Sequence, residues 1–323
     1  MQVFLYILSH NIAPILLIVA IGYLLGSNFK LDVQTLSKLN FYVFVPAFTF
    51  YQIYTTELLS SILKVFLFAI ALLLINYLAA QVIGKLRRQD VSMRNAFSNA
   101  MMFYNSGNIG IPLITLVFSG VPFIVNGETP YLNAALSIQV IVLVVQNFTT
   151  NTVGFYNAGI GQKMNWKDSL LSVFKMPTIY SVPLAFLFKF FLPYDLREFF
   201  LWPAFEYMKN GLVPVSLFTL GVQLSKTRLT QLPSADVWIA VAGRLFGGPL
   251  IALGLTYLFR MDPLTSQVLM ISSCVPTALN TAMIAVEKDN QPLFASQTVL
   301  LTTILCPVTV AVVVYITHFL FVI

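Results

Sequence analysis

The sequence predicts an all-α integral membrane protein of ten transmembrane helices, built as two five-helix halves with the second inverted. Three observations carry that prediction. Hydrophobic residues make up 58% of the chain against 9% charged, with a mean hydropathy of +0.83, which excludes an ordinary soluble domain. Apolar runs of membrane length recur between short polar breaks. Prolines recur at similar places in the two halves.

In order, the spans fall at about 3–26, 33–55, 60–84, 92–121, 130–153, 176–193, 200–224, 236–259, 264–287 and 293–320. Most supply the roughly 20 apolar residues that cross a bilayer. The sixth is short, because Pro177 and Pro183 limit its apolar core. Residues 1–26 lack a basic flank and a small-residue cleavage site, so the first span is expected to be retained. Cys274 and Cys306 fall inside spans and read as small apolar residues.

Loop charge sets the orientation. Loops after odd-numbered helices carry Lys30, Lys38, Lys85, Arg87, Arg88, Arg94, Lys163, Lys167, Lys175, Lys226, Arg228 and Lys288. Loops after even-numbered helices carry Lys64, Lys189, Arg197, Lys209 and Arg260. The richer set is expected in the cytoplasm, which puts both termini outside. The net charge of +6 is thus topological, and no nucleic-acid partner is expected. Trp166 and Trp202 suit interface anchors.

Five helices per half is an odd number, so a repeated half must be inverted. Pro46 and Pro214 lie in helices 2 and 7, and Pro112 and Pro276 in helices 4 and 9, as an inverted repeat requires. Residues 1–153 form the first half, 154–175 a short cytoplasmic link, and 176–323 the second half.

Helix 4 is interrupted near 105–111 by Asn105-Ser106-Gly107-Asn108-Ile109-Gly110-Ile111-Pro112, and helix 9 near 272–280 by Ser272-Ser273-Cys274-Val275-Pro276-Thr277-Ala278-Leu279-Asn280. Proline removes a backbone donor and glycine eases departure from helical geometry. Backbone freed at membrane depth is tolerated only where protein or a water-filled cavity satisfies it. If both helices break at the midplane, the half-helix N-termini there suit an anion. The substrate-binding candidates are Asn105, Ser106, Asn108, Pro112, Pro276, Thr277 and Asn280; the bland alternative is a kink with interhelical amide contacts. The first half of helix 4 is expected to end at Tyr104 and the second to begin near Ile111.

Arg244, about eight residues into helix 8, is the one full charge well inside a span. It is a candidate counter-charge for the anion, set against snorkelling to the cytoplasmic surface or the capping of backbone carbonyls in the second half. Glu206 is a candidate coupling acid, set against an i,i+3 pair with Lys209. His10 and Asn11 read as packed or interfacial. There is no midplane Asp pair, P-loop, hydrolase motif or metal-ligand cluster, so no enzyme activity, cofactor or metal is expected.

The Asn105–Pro112 stretch, Val275-Pro276-Thr277-Ala278, Glu287, Pro46 and Leu220-Gly221 together resemble the auxin efflux carrier family. That family includes plant PIN-type exporters and bacterial permeases for malate or malonate. The resemblance implies a bile-acid-symporter-like fold, with helices 4 and 9 crossing. Helices 1, 2, 6 and 7 would be a scaffold, and helices 3–5 and 8–10 a moving transport domain. It also implies that Asn105 contacts the substrate carboxylate. Pro276-Thr277 and Thr281 depart from the plant pattern, so the second half-site is expected to differ in chemistry; the long central loop of the plant exporters is missing, so indole-acetate is not the expected substrate.

The resulting expectation is a secondary transporter of the cytoplasmic membrane, moving a small organic anion by elevator-like alternating access. The bilayer is a partner, and a homodimer through the scaffold helices is a candidate assembly. The alternatives are a non-transporting receptor or sensor using the same pocket, and a sodium-coupled bile-acid-like symporter.

Overall fold

The computed structural model describes residues 9, 13–55, 62–159, 174, 177–226 and 232–323. His10, Asn11, Lys163, Trp166, Lys167, Lys175, Arg228 and most of the 154–175 link lie outside the described residues. Those described are helical, with two isolated β-bridges and no strand.

The helices form rods, several of them made of consecutive pieces. α1 is Ala13–Asn28, and α2 runs through Val33–Leu39, a π-turn at Asn40–Phe44 and Val45–Thr55. α3 is Ile62–Leu86. α4 is broken into α4a, Val91–Met102, and α4b, a π-turn at Ser106–Gly110 continued by Ile111–Phe118. α5 spans Leu132–Thr149, Thr150–Gly154 and Phe155–Gly159. α6 is Pro177–Phe191 and α7 is Trp202–Lys226. α8 joins Ala235–Ala242, a π-turn at Gly243–Gly247 and Gly248–Leu258. α9 is again broken, into α9a, Pro263–Ser273, and α9b, Leu279–Glu287; α10 is Pro292–Leu320. Four rods are long and apolar enough to cross a membrane: Ile62–Leu86, Leu132–Gly159, Ala235–Leu258 and Pro292–Leu320.

Local chemistry fixes the starts of the two broken rods in the same way. The Asp90 carboxylate accepts from Met93 N at 2.7 Å, and the Asp262 carboxylate accepts from Thr265 N at 2.9 Å. Each caps a helix N-terminus whose first N–H groups have no intrahelical partner. From Asp90 and Asp262 the two first halves run 12 and 11 residues before they break.

The polarity of the molecule is reversed relative to a soluble protein. Leu17, Leu63, Leu86, Leu250 and Val308 lie exposed on its periphery, while Asn76, Gln139, Gln146, Ser216, Thr298, Thr302 and Arg244 are buried. An apolar exterior of this extent requires an apolar solvent, and interior polar groups then hold helices to one another. This inversion, with the four apolar rods, marks an integral membrane protein.

Two packing groups are visible. α1 lies against α7, where Gly22, Gly26 and Gly221 let the backbones touch. α2 contacts α6 and α7 through an aromatic cluster of Phe50, Tyr54, Phe188, Trp202 and Phe205. In the other group α3 packs on α4a, α5 and α8, and α9a packs on α5, α8 and α10. At one end of the bundle the α3–α4 turn is tied to the start of α8, with Arg87 Nε 2.8 Å and Gln89 Nε2 2.9 Å from Asp236 Oδ1.

In the α6–α7 loop, the Arg197 guanidinium and backbone hold the Asp195 carboxyl down to about 2. Because the folded pKa lies below the unfolded one, this pair favours the native loop above roughly pH 4, and the effect fades as pH falls toward 2. Arg197→Ala is expected to return the Asp195 titration toward the ordinary aspartate range, read by NMR of the labelled carboxyl.

The structure differs from expectation at the breaks. α4a ends at Met102, not Tyr104, and the next helical turn begins at Ser106, not near Ile111. Pro112 and Pro276 are not equivalent either: Pro112 sits in the first turn of the Ile111–Phe118 helix, whereas Pro276 lies between α9a and α9b.

Candidate functional site

The two breaks pass each other in opposite directions and hydrogen-bond together. Tyr104 and Thr277 form an antiparallel bridge: Asn105 N donates to Pro276 O at 2.9 Å, and Ala278 N donates to Phe103 O at 3.0 Å. Backbone groups freed by one break are thus satisfied by the other, as the interior of a membrane protein demands. Gln146 of α5 contributes a further bond, its Oε1 accepting from Tyr104 N at 3.3 Å.

Four half-helix ends converge on this crossing, and they sort by sign. The N-terminal ends of α4b and α9b face one cavity, lined by Asn105, Ser106, Gly107 and Asn108 on one side and Ala278, Leu279 and Asn280 on the other. Asn105 is the N-cap of α4b, and its side-chain oxygen accepts from Asn108 N at 3.1 Å. Ser106 N turns back to Tyr104 O, and the N–H groups of Ile109 and Gly110 both reach Asn105 O. Among the described residues no hydrogen bond engages the Gly107 N–H. Ala278 caps α9b without a side-chain bond; Thr281 N reaches back to Ala278 O at 3.1 Å, and among the described residues no hydrogen bond engages the Leu279 and Asn280 N–H groups, which point out of the helix end. Two partial positive helix ends therefore share one small space.

The C-terminal ends of α4a and α9a meet elsewhere, at Arg244. Its Nη1 donates to Met101 O at 2.9 Å and its Nη2 to Ser273 O, while the guanidinium lies 4.7 Å from the centre of the Tyr104 ring. Arg244 is wholly buried and does not line the cavity. The Arg244 guanidinium is therefore directed at helix carbonyls, one in each half of the chain, where the capping alternative placed them in the second half alone.

The other expected residues separate cleanly. Asn105, Ser106, Asn108 and Asn280 line the cavity. Thr277 is fully buried behind it, with Oγ1 bonded to Ala100 O at 2.9 Å and its N–H bonded to Thr302 Oγ1 at 3.2 Å. Pro276 contributes the carbonyl that receives Asn105 N, and Pro112 is buried within α4b; neither lines the cavity. Glu206 is remote from it, accepting from Trp202 Nε1 at 3.1 Å and Tyr51 Oη at 3.5 Å. Lys209 lies over the Tyr51 ring and not on Glu206, so the expected i,i+3 pairing is replaced by aromatic contacts.

Several lining residues were not anticipated. Leu143, Gln146, Asn147 and Thr150 come from α5, and Phe41 and Val45 from α2. The polar ones leave a faint sequence signal, because Gln146 and Asn147 lie four and three residues before Thr150, on one helical face of an otherwise apolar run. Gln146 is buried, and its Nε2 has no hydrogen-bond partner among the described residues. The cavity is small, about 20 Å³ of space for a water centre, enough for about one water.

Comparison with known proteins now decides the class. A family described as membrane transport protein matches residues 7–314, nearly the whole chain. This chain belongs to that family. The resemblance to auxin efflux carriers is thereby shown. An uncharacterized transporter of Methanothermobacter thermautotrophicus is 23% identical over 304 residues, covering 92% of this chain and 94% of its own. A Rhizobium meliloti protein, provisionally named a malonate transporter, is 28% identical over 157 residues, covering 49% of this chain and 46% of its own.

Proposed function

We propose that this membrane transporter carries a small organic anion with a carboxylate group, held at the paired N-termini of α4b and α9b. The observation that carries the reading is the sorting of helix ends. Two positive ends and the Asn105, Ser106, Asn108 and Asn280 side chains face the cavity, while both negative ends are neutralised at Arg244. A carboxylate needs several convergent donors and a positive potential, and helix N-termini supply both without a full charge. The name of the Rhizobium meliloti relative makes malonate the first anion to try.

The reading extends to ten membrane spans in two inverted halves, with α1, α2, α6 and α7 as the fixed scaffold. The remaining rods move against it, carrying the crossing across the bilayer. What supports this is the cavity wall: α4, α5 and α9 provide its polar face and α2 provides Phe41 and Val45. An apolar wall on a fixed α2 would close the site until the polar group slides past it. Thr277, Pro276 and Pro112 are assigned to shaping the break and not to touching the anion. Loop charge favours a cytoplasmic-membrane protein with both ends of the chain outside.

The test is uptake into proteoliposomes of labelled malonate, malate and a monocarboxylate, with a neutral amide of each as control. Saturable uptake of the anions alone is expected. Tight binding without flux would instead indicate a receptor. Gln146→Leu, which leaves the buried Tyr104 N–H unsatisfied, is expected to cost about 1–3 kcal/mol at the site. That cost is read as a lowered unfolding midpoint of the purified protein.

A further inference from the structure

We propose that Arg244 is a tethered cation standing where a dissociable coupling ion binds in other broken-helix transporters, so that this protein works without bound sodium. The inference rests on the crossing being a transport site, as argued above, and adds how that site is balanced. In a pair of broken helices, half-helix C-terminal ends and unwound carbonyls are the groups that hold a monovalent cation. Here the two C-terminal ends, at Met101 and Ser273, are both bonded by one guanidinium. The remaining face of that guanidinium lies over the Tyr104 ring, within the crossing itself.

The surroundings of Arg244 are built for this placement. It sits in the π-turn Gly243–Gly247 of α8, an extra-residue turn that redirects a side chain relative to a regular helix. A Cβ at Gly248 would lie 2.6 Å from Arg244 Nη2 and 3.0 Å from Ser273 O, so glycine there leaves the channel through which the guanidinium reaches α9a. Arg244 is fully buried with no carboxylate within ion-pair distance among the described residues. Its charge is thus balanced by helix dipoles and carbonyls, the same groups that would otherwise attract a free cation. Arg244 is a positioning residue: it fixes α4a against α9a and leaves the opposite, N-terminal ends free for the anion.

The experiment is thermal unfolding of the purified full chain in sodium, potassium and choline chlorides at equal ionic strength, for wild type, Arg244→Ala and Arg244→Lys. The wild-type midpoint is expected to be the same in all three salts. A midpoint that rises with sodium over choline in wild type overturns the proposal, since ligand binding to the native state must raise it. Arg244→Ala is expected to lose roughly 5–10 °C, and to regain at least half of that with about 20 mM guanidinium but not with equal urea. Arg244→Lys, which cannot bridge both carbonyls, is expected to fall between. A variant as stable as wild type, or one that guanidinium helps no more than urea, overturns the assignment. If Arg244→Ala does not fold, the wild-type salt series and the lysine variant decide. None of these readouts needs a transported substrate, so failure of the carboxylate reading is seen separately, in the uptake assay.

Discussion

Replacing Asn105 with aspartate is expected to leave a folded protein that no longer takes up carboxylates. Aspartate caps a helix N-terminus as well as asparagine does, so the bond to Asn108 N at 3.1 Å survives. The added charge would face a bound carboxylate at contact distance. At about 4 Å and an effective dielectric near 20, two like charges repel by about 4 kcal/mol, or a loss of about three powers of ten. Asn105→Ala loses both the cap, worth about 1 kcal/mol, and a donor to a charged group, about 1.5–3 kcal/mol. It is expected to cut uptake by roughly 10- to 100-fold and to lower the unfolding midpoint, whereas the aspartate variant should unfold near wild type. Uptake by Asn105→Asp at the wild-type rate would remove Asn105 from the site.

The second large effect concerns the contact between α1 and α7. Gly221→Val is expected to break the α1–α7 contact. Even a Cβ at Gly221 would overlap Val19 O and lie 2.7 Å from Tyr23 N. Both are backbone atoms of α1, so no rotamer change relieves the clash. On the facing side, a Cβ at Gly22 would strike Phe218 O. Overpacking of ordinary side chains costs about 1–3 kcal/mol; here rigid backbones must separate, and at least about 3 kcal/mol is expected. Size-exclusion profiles and unfolding midpoints in detergent would show it as loss of monodisperse protein or a sharply lowered midpoint. A wild-type profile would mean that α1 and α7 are free to move apart.

The positions of both breaks were legible from glycine, asparagine and proline placed where an apolar helix should be most regular. Asn105 and Asn280 were legible for the same reason. The start of α4b was not, because the Asn105 side chain caps the very next turn; helix resumes at Ser106 well before the proline that suggested Ile111. Proline spacing misaligned helices 4 and 9, since Pro276 lies inside its break and Pro112 after it. The charge at Arg244 was visible in the sequence, but its partners are two carbonyls, at positions 101 and 273, on other rods. Only the fold could pair them. Gln146, Asn147 and Thr150 were hidden for a related reason: polar residues on one face of α5 say nothing of what they face until α4 is broken beside them.

The central claim is that the anion lies against the N-terminal ends of α4b and α9b. It is tested most directly by solid-state NMR of the reconstituted protein with carboxyl-¹³C malonate and ¹⁵N-labelled protein, measuring carbon–nitrogen dipolar couplings. The account predicts close contacts from the carboxylate carbon to the Gly107 backbone nitrogen and the Asn105 or Asn280 amide, with none to the Arg244 guanidinium. A strong coupling to the Arg244 guanidinium, with none to Gly107, would contradict it.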